Sequence, residues 1–245
     1  MNTTGKSGGG GHGYRFFVPL ETPDSGTVSL PPDEAHHALH VLRLKPGAAI
    51  HLFDGRGRAM TATVESVGRK DVDVAIQSSL RTERPAKRVT LLQAGLNREK
   101  SMEAVIRHGV ETGVDQFWFF RGGHSERTPR LSGKWFRAAV EACKQCGRLW
   151  IPNLSAYSSL AMALETAPRP LYIATIEGPH EELPERIDAP ETTLMVGPEG
   201  DFTEEELTMA KEAGAKAISL GDAVYRSEIA AMLGVYLLRY KMGAW

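Results

Sequence analysis

Between residues 14 and 79 the apolar positions come in short runs of strand length. Tyr14–Val18, Thr27–Leu30, Ala49–Phe53, Ala59–Val67 and Val72–Ser78 alternate or run apolar, and one helical pattern, Pro32–Leu42, is entered through prolines. Asp54-Gly55-Arg56-Gly57 supplies a hairpin turn between two of the strands. This is the pattern of a small β-barrel. Arg81–Arg88 is charged, contains a proline and has no strand or helix periodicity, so it reads as a linker. From Val89 onward the period alternates. Strands are predicted at Val89–Ala94, Gln116–Phe120, Leu171–Thr175, Thr193–Val196 and Ala217–Leu220. Helices are predicted at Lys100–Glu111, Lys134–Gly147, Ser158–Glu165, Thr203–Ala213 and Ser227–Tyr240, and Thr203 with Glu206 forms a capping-box signature. Such βα alternation predicts an α/β domain with a mostly parallel sheet covered by helices.

Composition adds little to that picture, whereas charge adds more. A chain of 245 residues with 42% hydrophobic and 24% charged residues is ordinary for a globular protein of one large or two small domains. No apolar run reaches the ~20 residues of a membrane span. Residues 1–13, with Gly8 to Gly11 consecutive, lack the apolar core of a signal peptide and read as a flexible leader, so a cytoplasmic address is expected. The formal net charge of −1 hides an asymmetry: residues 1–150 hold 22 Lys and Arg against 15 acidic residues, and the remainder hold 7 against 15. A basic front half suits a phosphate backbone, and Arg121 to Arg148 concentrates seven of those basic residues.

The two cysteines form Cys143-Lys144-Gln145-Cys146 inside an amphipathic helical pattern. A zinc site needs two further ligands, and no second C-x-x-C or paired histidine motif supplies them. The thioredoxin motif starts a helix after a strand, which this pair does not, so both are read as structural thiols. His36 and His40 sit four apart on the Pro32–Leu42 helix, but no third patterned ligand joins them, and no metal is expected.

The most informative stretch is Met195-Val196-Gly197-Pro198-Glu199-Gly200-Asp201-Phe202, followed by Ile218-Ser219-Leu220-Gly221 and Tyr225-Arg226-Ser227-Glu228. Two strand ends opening into glycine loops place bare backbone groups side by side at one sheet edge, where small ligands bind. With Tyr14-Arg15-Phe16-Phe17-Val18, His37 to Gly47, Leu52-Phe53-Asp54-Gly55, Glu111-Thr112-Gly113-Val114, Ser125-Glu126-Arg127-Thr128 and Glu141 to Arg148, these segments resemble the 16S ribosomal RNA uridine-N3 methyltransferase family. That family is the RsmE group of the SPOUT class of S-adenosylmethionine enzymes. The resemblance covers nearly the whole chain. It implies a PUA-like RNA-binding β-barrel domain over 14–80 and a linker over 81–88. Over 89–245 it implies a SPOUT α/β methyltransferase domain whose trefoil knot no sequence pattern would suggest unaided. It further implies methylation of N3 of uridine 1498 in 16S RNA of the small ribosomal subunit, S-adenosylmethionine as cofactor, no metal, and a homodimer formed through the knotted domain.

Methyl transfer to a base nitrogen needs in-line positioning and stabilisation of negative charge on the pyrimidine. The expected cofactor contacts are Thr175, Val196, Gly197, Glu199, Gly200, Leu220, Gly221, Tyr225 and Ser227, with glycines allowing close backbone approach. Leu220, Val224 and Tyr225 would pack against adenine, and Glu199 would orient either the loop or the ribose. Arg226 is the expected catalytic side chain: a guanidinium holding a uracil oxygen favours the N3 anion, although it cannot act as a base. Glu228 is a possible base, with helix capping or ion pairing as its alternative role. Arg15, His40, Arg43, Arg127 and Arg148 are the expected RNA contacts.

The chain departs from the family pattern where Gly221-Asp222-Ala223 replaces Gly-Pro-Arg, where Ser227-Glu228-Ile229 replaces Thr-Glu-Thr, and at His108, where a lysine is usual. An RNA-binding ribosome-associated factor with a decayed methyltransferase site is therefore the competing expectation. A nucleotide-dependent oxidoreductase lacks support, since no G-x-G-x-x-G or Walker A motif opens a helix after the first strand. The front-domain motifs also favour base N3 over a ribose hydroxyl as the acceptor.

Overall fold

The computed structural model describes residues 13–176 and 178–244; the expected leader lies outside them except for Gly13. The chain divides into two compact units, one up to Glu83 and one from Arg84 onward.

The first unit contains β1 (Arg15–Phe17), β2 (Gly26–Ser29), α1 (Pro32–His36), a π-helical turn (His37–Val41), β3 (Ala49–Phe53), β4 (Arg58–Val67) and β5 (Val72–Arg81). Its sheet runs β1-β3-β4-β5-β2, antiparallel throughout except for β1 beside β3. Alternation along β4 and β5 sends Met60, Ala62, Val64, Val72, Val74 and Ile76 into one core, where they meet Phe16, Ile50, Leu52 and Ala38. The single helix predicted over Pro32–Leu42 is instead a short α-helix followed by a wider turn. The Leu42 N–H donates to His37 O at 3.0 Å, a five-residue step. This keeps Ala38 in the core and leaves His36 and His40 exposed, with ring centroids 4.5 Å apart. At the β3–β4 turn, Asp54 accepts from the backbone N–H groups of Arg56 and Arg58 at 2.7 and 3.1 Å. The buried Arg58 guanidinium donates to Thr22 O, Leu20 O and Asp24. The hydrogen bond from Ser79, and then that from Arg58, hold the Asp24 carboxyl below its usual value.

The second unit contains β6 (Arg88–Ala94), α2 (Glu99–Thr112), β7 (Gln116–Phe120), α3 (Gly133–Cys146), β8 (Asn153–Tyr157), α4 (Leu160–Thr166), β9 (Leu171–Ala174), β10 (Glu191–Val196), α5 (Glu204–Glu212), β11 (Lys216–Ile218) and α6 (Ser227–Met242). The sheet order is β11-β9-β10-β6-β7-β8, and every pairing is parallel. β6, β7 and β10 are buried on both faces, which is why they read as unbroken apolar runs. Strand β8 was not expected. It is a half-exposed edge of Asn, Leu, Ser, Ala and Tyr, and only pairing with β7 makes it a strand. The capping box expected of Thr203 and Glu206 is present at α5. The helix predicted over Lys134–Gly147 is α3, closed by Gly147 in the left-handed region at φ 85°.

The chain runs from β6 through β7 to β8 at one edge, then returns to the other side of β6 for β10, β9 and β11. β6 and β10 therefore flank the point where the strand order reverses, and a crevice forms outside the carboxyl ends there. Helix α6 lies against β10 with Gly234 directly over Leu194, whose Cδ2 would stand 2.5 Å from an added Cβ. Among the described residues no helix is long and apolar enough to cross a membrane.

Candidate active site

A cleft of about 540 Å³ opens at the carboxyl ends of β6, β9 and β10. Its walls come from four chain segments. The β6–α2 loop and the start of α2 give Asn97, Arg98 and Ser101, and the end of β9 gives Ala174 and Ile176. The turn after β10 gives Val196 to Glu199 and Asp201, and the entry to α6 gives Val224 to Glu228 and Ala230. A smaller recess of about 80 Å³, lined by Thr175 and by Leu220 to Tyr225, shares Ala174, Ile176, Val224, Tyr225 and Ala230 with the cleft.

Buried hydrogen bonds fix the floor. Ser227, at the first position of α6, donates its hydroxyl to Gly197 O at 2.5 Å and accepts from Gln93 Nε2 at 2.9 Å. Gln93 is wholly buried near the end of β6 and also donates to Ala94 O and Gly197 O. Its Oε1 has no hydrogen-bond partner among the described residues. The Glu199 carboxylate accepts from the Asn97 N–H at 3.1 and 3.4 Å, so the turn after β10 pins the loop after β6. Of the two roles expected for Glu199, loop orientation is the one the geometry displays. A Cβ on Gly197 would stand 3.2 Å from the Phe202 ring and 3.3 Å from Asp201 Oδ1, so a larger side chain would crowd the turn.

The fold brings most of the expected cofactor residues to one place. Val196, Gly197, Glu199, Tyr225 and Ser227 line the cleft, Thr175, Leu220 and Gly221 line the recess, and Tyr225 lines both. Arg226 lines the cleft at the N-cap of α6 with extended backbone, and its side chain makes no cap hydrogen bond. Gly200 lines neither space, and a Cβ there would meet His124 Cβ at 3.0 Å, so the absence of a side chain also serves packing.

The expected RNA contacts separate in the same way. In the first unit His40 and Arg43 are exposed, Arg43 turning the chain at φ 51°, while Arg15 on β1 is half-buried. In the second unit Arg127 is exposed on the loop after β7, next to Glu126, whose N–H donates to Asn97 Oδ1 at 3.4 Å. Arg148 is a correction. Its guanidinium donates to Val110 O, Val114 O and the buried Asp115 at 3.1, 2.6 and 2.8 Å, so it is largely spent on tying the end of α2 to β7. Cys143 and Cys146 are free thiols, and burial pushes the Cys143 thiol up to about 12, which suits the structural reading.

Sequence reasoning missed the wall formed by Asn97, Arg98 and Ser101. The available signal was Gln93, a polar residue in an otherwise apolar strand that then breaks at Gly95.

Comparison with known proteins bears on the same two units. A model of the RNA methyltransferase domain matches residues 82–239, and one of the RNA methyltransferase PUA domain matches residues 30–77. Ribosomal RNA small subunit methyltransferase E from Mycobacterium bovis is 30% identical over 246 residues, spanning 94% of this chain and 92% of its own length. The chain belongs to the ribosomal RNA small subunit methyltransferase E family. Among solved structures, the methyltransferase E from Neisseria gonorrhoeae bound to S-adenosyl methionine superposes with a TM-score of 0.83 at 27% identity, covering 94% of this chain and 98% of that one. A putative methyltransferase from Legionella pneumophila, solved with bound cofactor SAM, gives 0.84 at 28% identity, covering 93% and 97%. As a methyltransferase E relative, the chain has the PUA and α/β methyltransferase architecture that the sequence resemblance implied.

Proposed function

We propose that this protein transfers a methyl group from S-adenosylmethionine to N3 of a uridine in 16S ribosomal RNA of the small subunit, uridine 1498 following the family name. The observation that carries this reading is the cleft at the switch point of a parallel sheet, with glycine loops on one side and the Arg226 guanidinium on another. The cavity fits a nucleoside-bearing cofactor on its own evidence. Ile176 and Val224, large apolar residues 52% and 72% exposed, line both cleft and recess, where an adenine ring would cover them. The loops bearing Leu220-Gly221 and Gly197 offer backbone groups beside them for the ring edge and ribose.

When bound, S-adenosylmethionine supplies an electrophilic methyl group on a sulfonium. The protein's part is to align the uracil and stabilise its charge. Loss of the N3 proton to solvent leaves negative charge spread over the uracil oxygens, and Arg226 would hold the oxygen that carries it, keeping N3 nucleophilic until it takes the methyl group. Glu228, in the first turn of α6, lines the same cleft and is the nearest carboxylate in sequence to Arg226. Arg15, His40, Arg43 and Arg127 contribute backbone and stacking contacts to the RNA.

The protein works as a homodimer paired through the knotted second unit. Ile229, Leu233, Tyr236 and Tyr240 support this: spaced four, three and four apart, they form an exposed apolar stripe along α6 that a second copy would cover. A ribosomal substrate goes with a cytoplasmic address.

Calorimetric titration of S-adenosylmethionine, followed by methylation of undermodified 30S subunits, tests the reading. Wild type should bind and methylate, Gly197→Val should lose binding, and Arg226→Ala should bind but not methylate. Well-folded wild type that binds no cofactor would favour an RNA-binding factor with a decayed site, the reading that Ala223 motivates.

A further inference from the structure

We infer that Arg98 is a second substrate-binding guanidinium of the cleft, holding an oxyanion of the target uridylate from the loop between β6 and α2. The inference rests on the methyl-transfer reading above and names a residue that reading does not use.

Among the described residues lining the cleft, only Arg98 and Arg226 carry a permanent positive charge. They come from separate elements, Arg98 at the N-cap of α2 and Arg226 at the N-cap of α6. The third loop at this edge, Gly221-Asp222-Ala223, contributes no cation. Several other arginines of the unit are committed: Arg148 and Arg169 to backbone carbonyls, Arg88 to Glu191, and Arg239 to Gly113 O and Ala244 O, while exposed ones such as Arg127 lie outside the cleft lining. The Arg98 side chain makes no hydrogen bond or ion pair with the described residues. Its starting point is nevertheless set, because Glu199 holds the adjacent Asn97 N–H.

The carboxylates in the cleft do not cancel this charge in advance. Glu199 is occupied by Asn97, and Asp201 Oδ1 accepts from the Phe202 N–H at 2.8 Å. Glu228 belongs to the Arg226 side, two residues into the next element. A nucleotide entering this space brings two oxyanions: its phosphate, and the uracil oxygen that gains charge as N3 loses its proton. One guanidinium cannot grip both, whereas two on separate loops can.

Single-turnover methylation of undermodified 30S subunits by Arg98→Gln and Arg98→Lys, with wild type alongside, tests this. S-adenosylmethionine affinity and thermal unfolding are measured on each. We expect cofactor affinity and melting close to wild type, a rate about 10- to 100-fold lower for Arg98→Gln, and an intermediate rate for Arg98→Lys. A loss carried by KM, with a shallower salt dependence, assigns the phosphate. A loss carried by kcat, with the rise of rate against pH moved upward, assigns the uracil oxygen. Glu199, Asp201, Glu228 and Tyr225 are the titratable neighbours that profile must be read against. A wild-type rate for Arg98→Gln would overturn the inference, as would a deficit explained wholly by lost cofactor affinity. If Arg98→Gln fails to fold, a wild-type rate for a folded Arg98→Lys whose pH and salt profiles are unchanged would overturn it too. Wild type that binds cofactor yet leaves 30S unmethylated would instead remove the methyl-transfer reading, and this inference with it.

Discussion

Arg148→Ala should unfold the second unit far more readily while leaving exposed RNA-contact surfaces intact. The wild-type guanidinium makes three hydrogen bonds, to Val110 O, Val114 O and Asp115 Oδ1, and its side chain is only 19% exposed. Asp115, 4% exposed, also accepts from the Val89 N–H at 3.0 Å and lies 3.8 Å from Arg239. Truncation therefore leaves two carbonyls short of a donor and a buried carboxylate short of its best partner. Removing one member of a buried pair costs roughly 3–5 kcal/mol. The remaining Val89 and Arg239 contacts favour the lower end, about 3 kcal/mol. For a unit of this size that corresponds to a melting temperature lower by roughly 6–12 °C. All four tryptophans, Trp118, Trp135, Trp150 and Trp245, lie in the second unit, so urea unfolding followed by their fluorescence reports on it selectively. A cycle with Asp115→Asn isolates the ion pair, and its coupling should exceed about 1 kcal/mol. Wild-type stability for Arg148→Ala together with weakened RNA binding would refute this reasoning and return the residue to the RNA surface.

Two further outcomes follow from the same contacts. Because burial raises the Cys143 thiol to about 12 from an ordinary 9.0, its contribution to stability is full below the unfolded-state value and is lost as pH climbs toward 12. Urea unfolding at about pH 8 and about pH 10 should show wild type losing more stability across that interval than Cys143→Ala; parallel losses would contradict it. Glu199→Ala should release the Asn97 loop, lowering stability by about 1 kcal/mol and weakening S-adenosylmethionine binding, with partial recovery in Glu199→Gln, whose carbonyl still accepts. Calorimetry showing unchanged cofactor affinity in Glu199→Ala would detach that carboxylate from the pocket.

Much of the chain was legible in order. The central strands β6, β7 and β10 announced themselves as short apolar runs because helices cover both their faces. Helix α5 showed its own start, since Thr203 and Glu206 satisfy each other's backbone groups within one turn. Strand β8 did not show, because an edge strand of small and polar residues has no periodicity until a neighbour supplies its ladder. The π-helical turn at His37–Val41 was equally silent, being a five-residue hydrogen-bond step within a pattern that fits an α-helix.

The glycine loops after β10 and β11, and Arg226 beside them, could be named from residues alone because their chemistry is local. Which arginines are free was not local. Arg148 looked like a basic surface residue until folding placed Val110, Val114 and Asp115 around it. Arg98 was not singled out by the sequence; the reversal of strand order at β6 and β10 sets its loop across from the start of α6. Sequence by itself determined most of the elements, their alternation and the residue types able to hold a cofactor, since these depend on backbone preference and nearest neighbours. The tertiary structure alone decided which side chains share a cleft and which are consumed in holding it, because segments more than a hundred residues apart meet there.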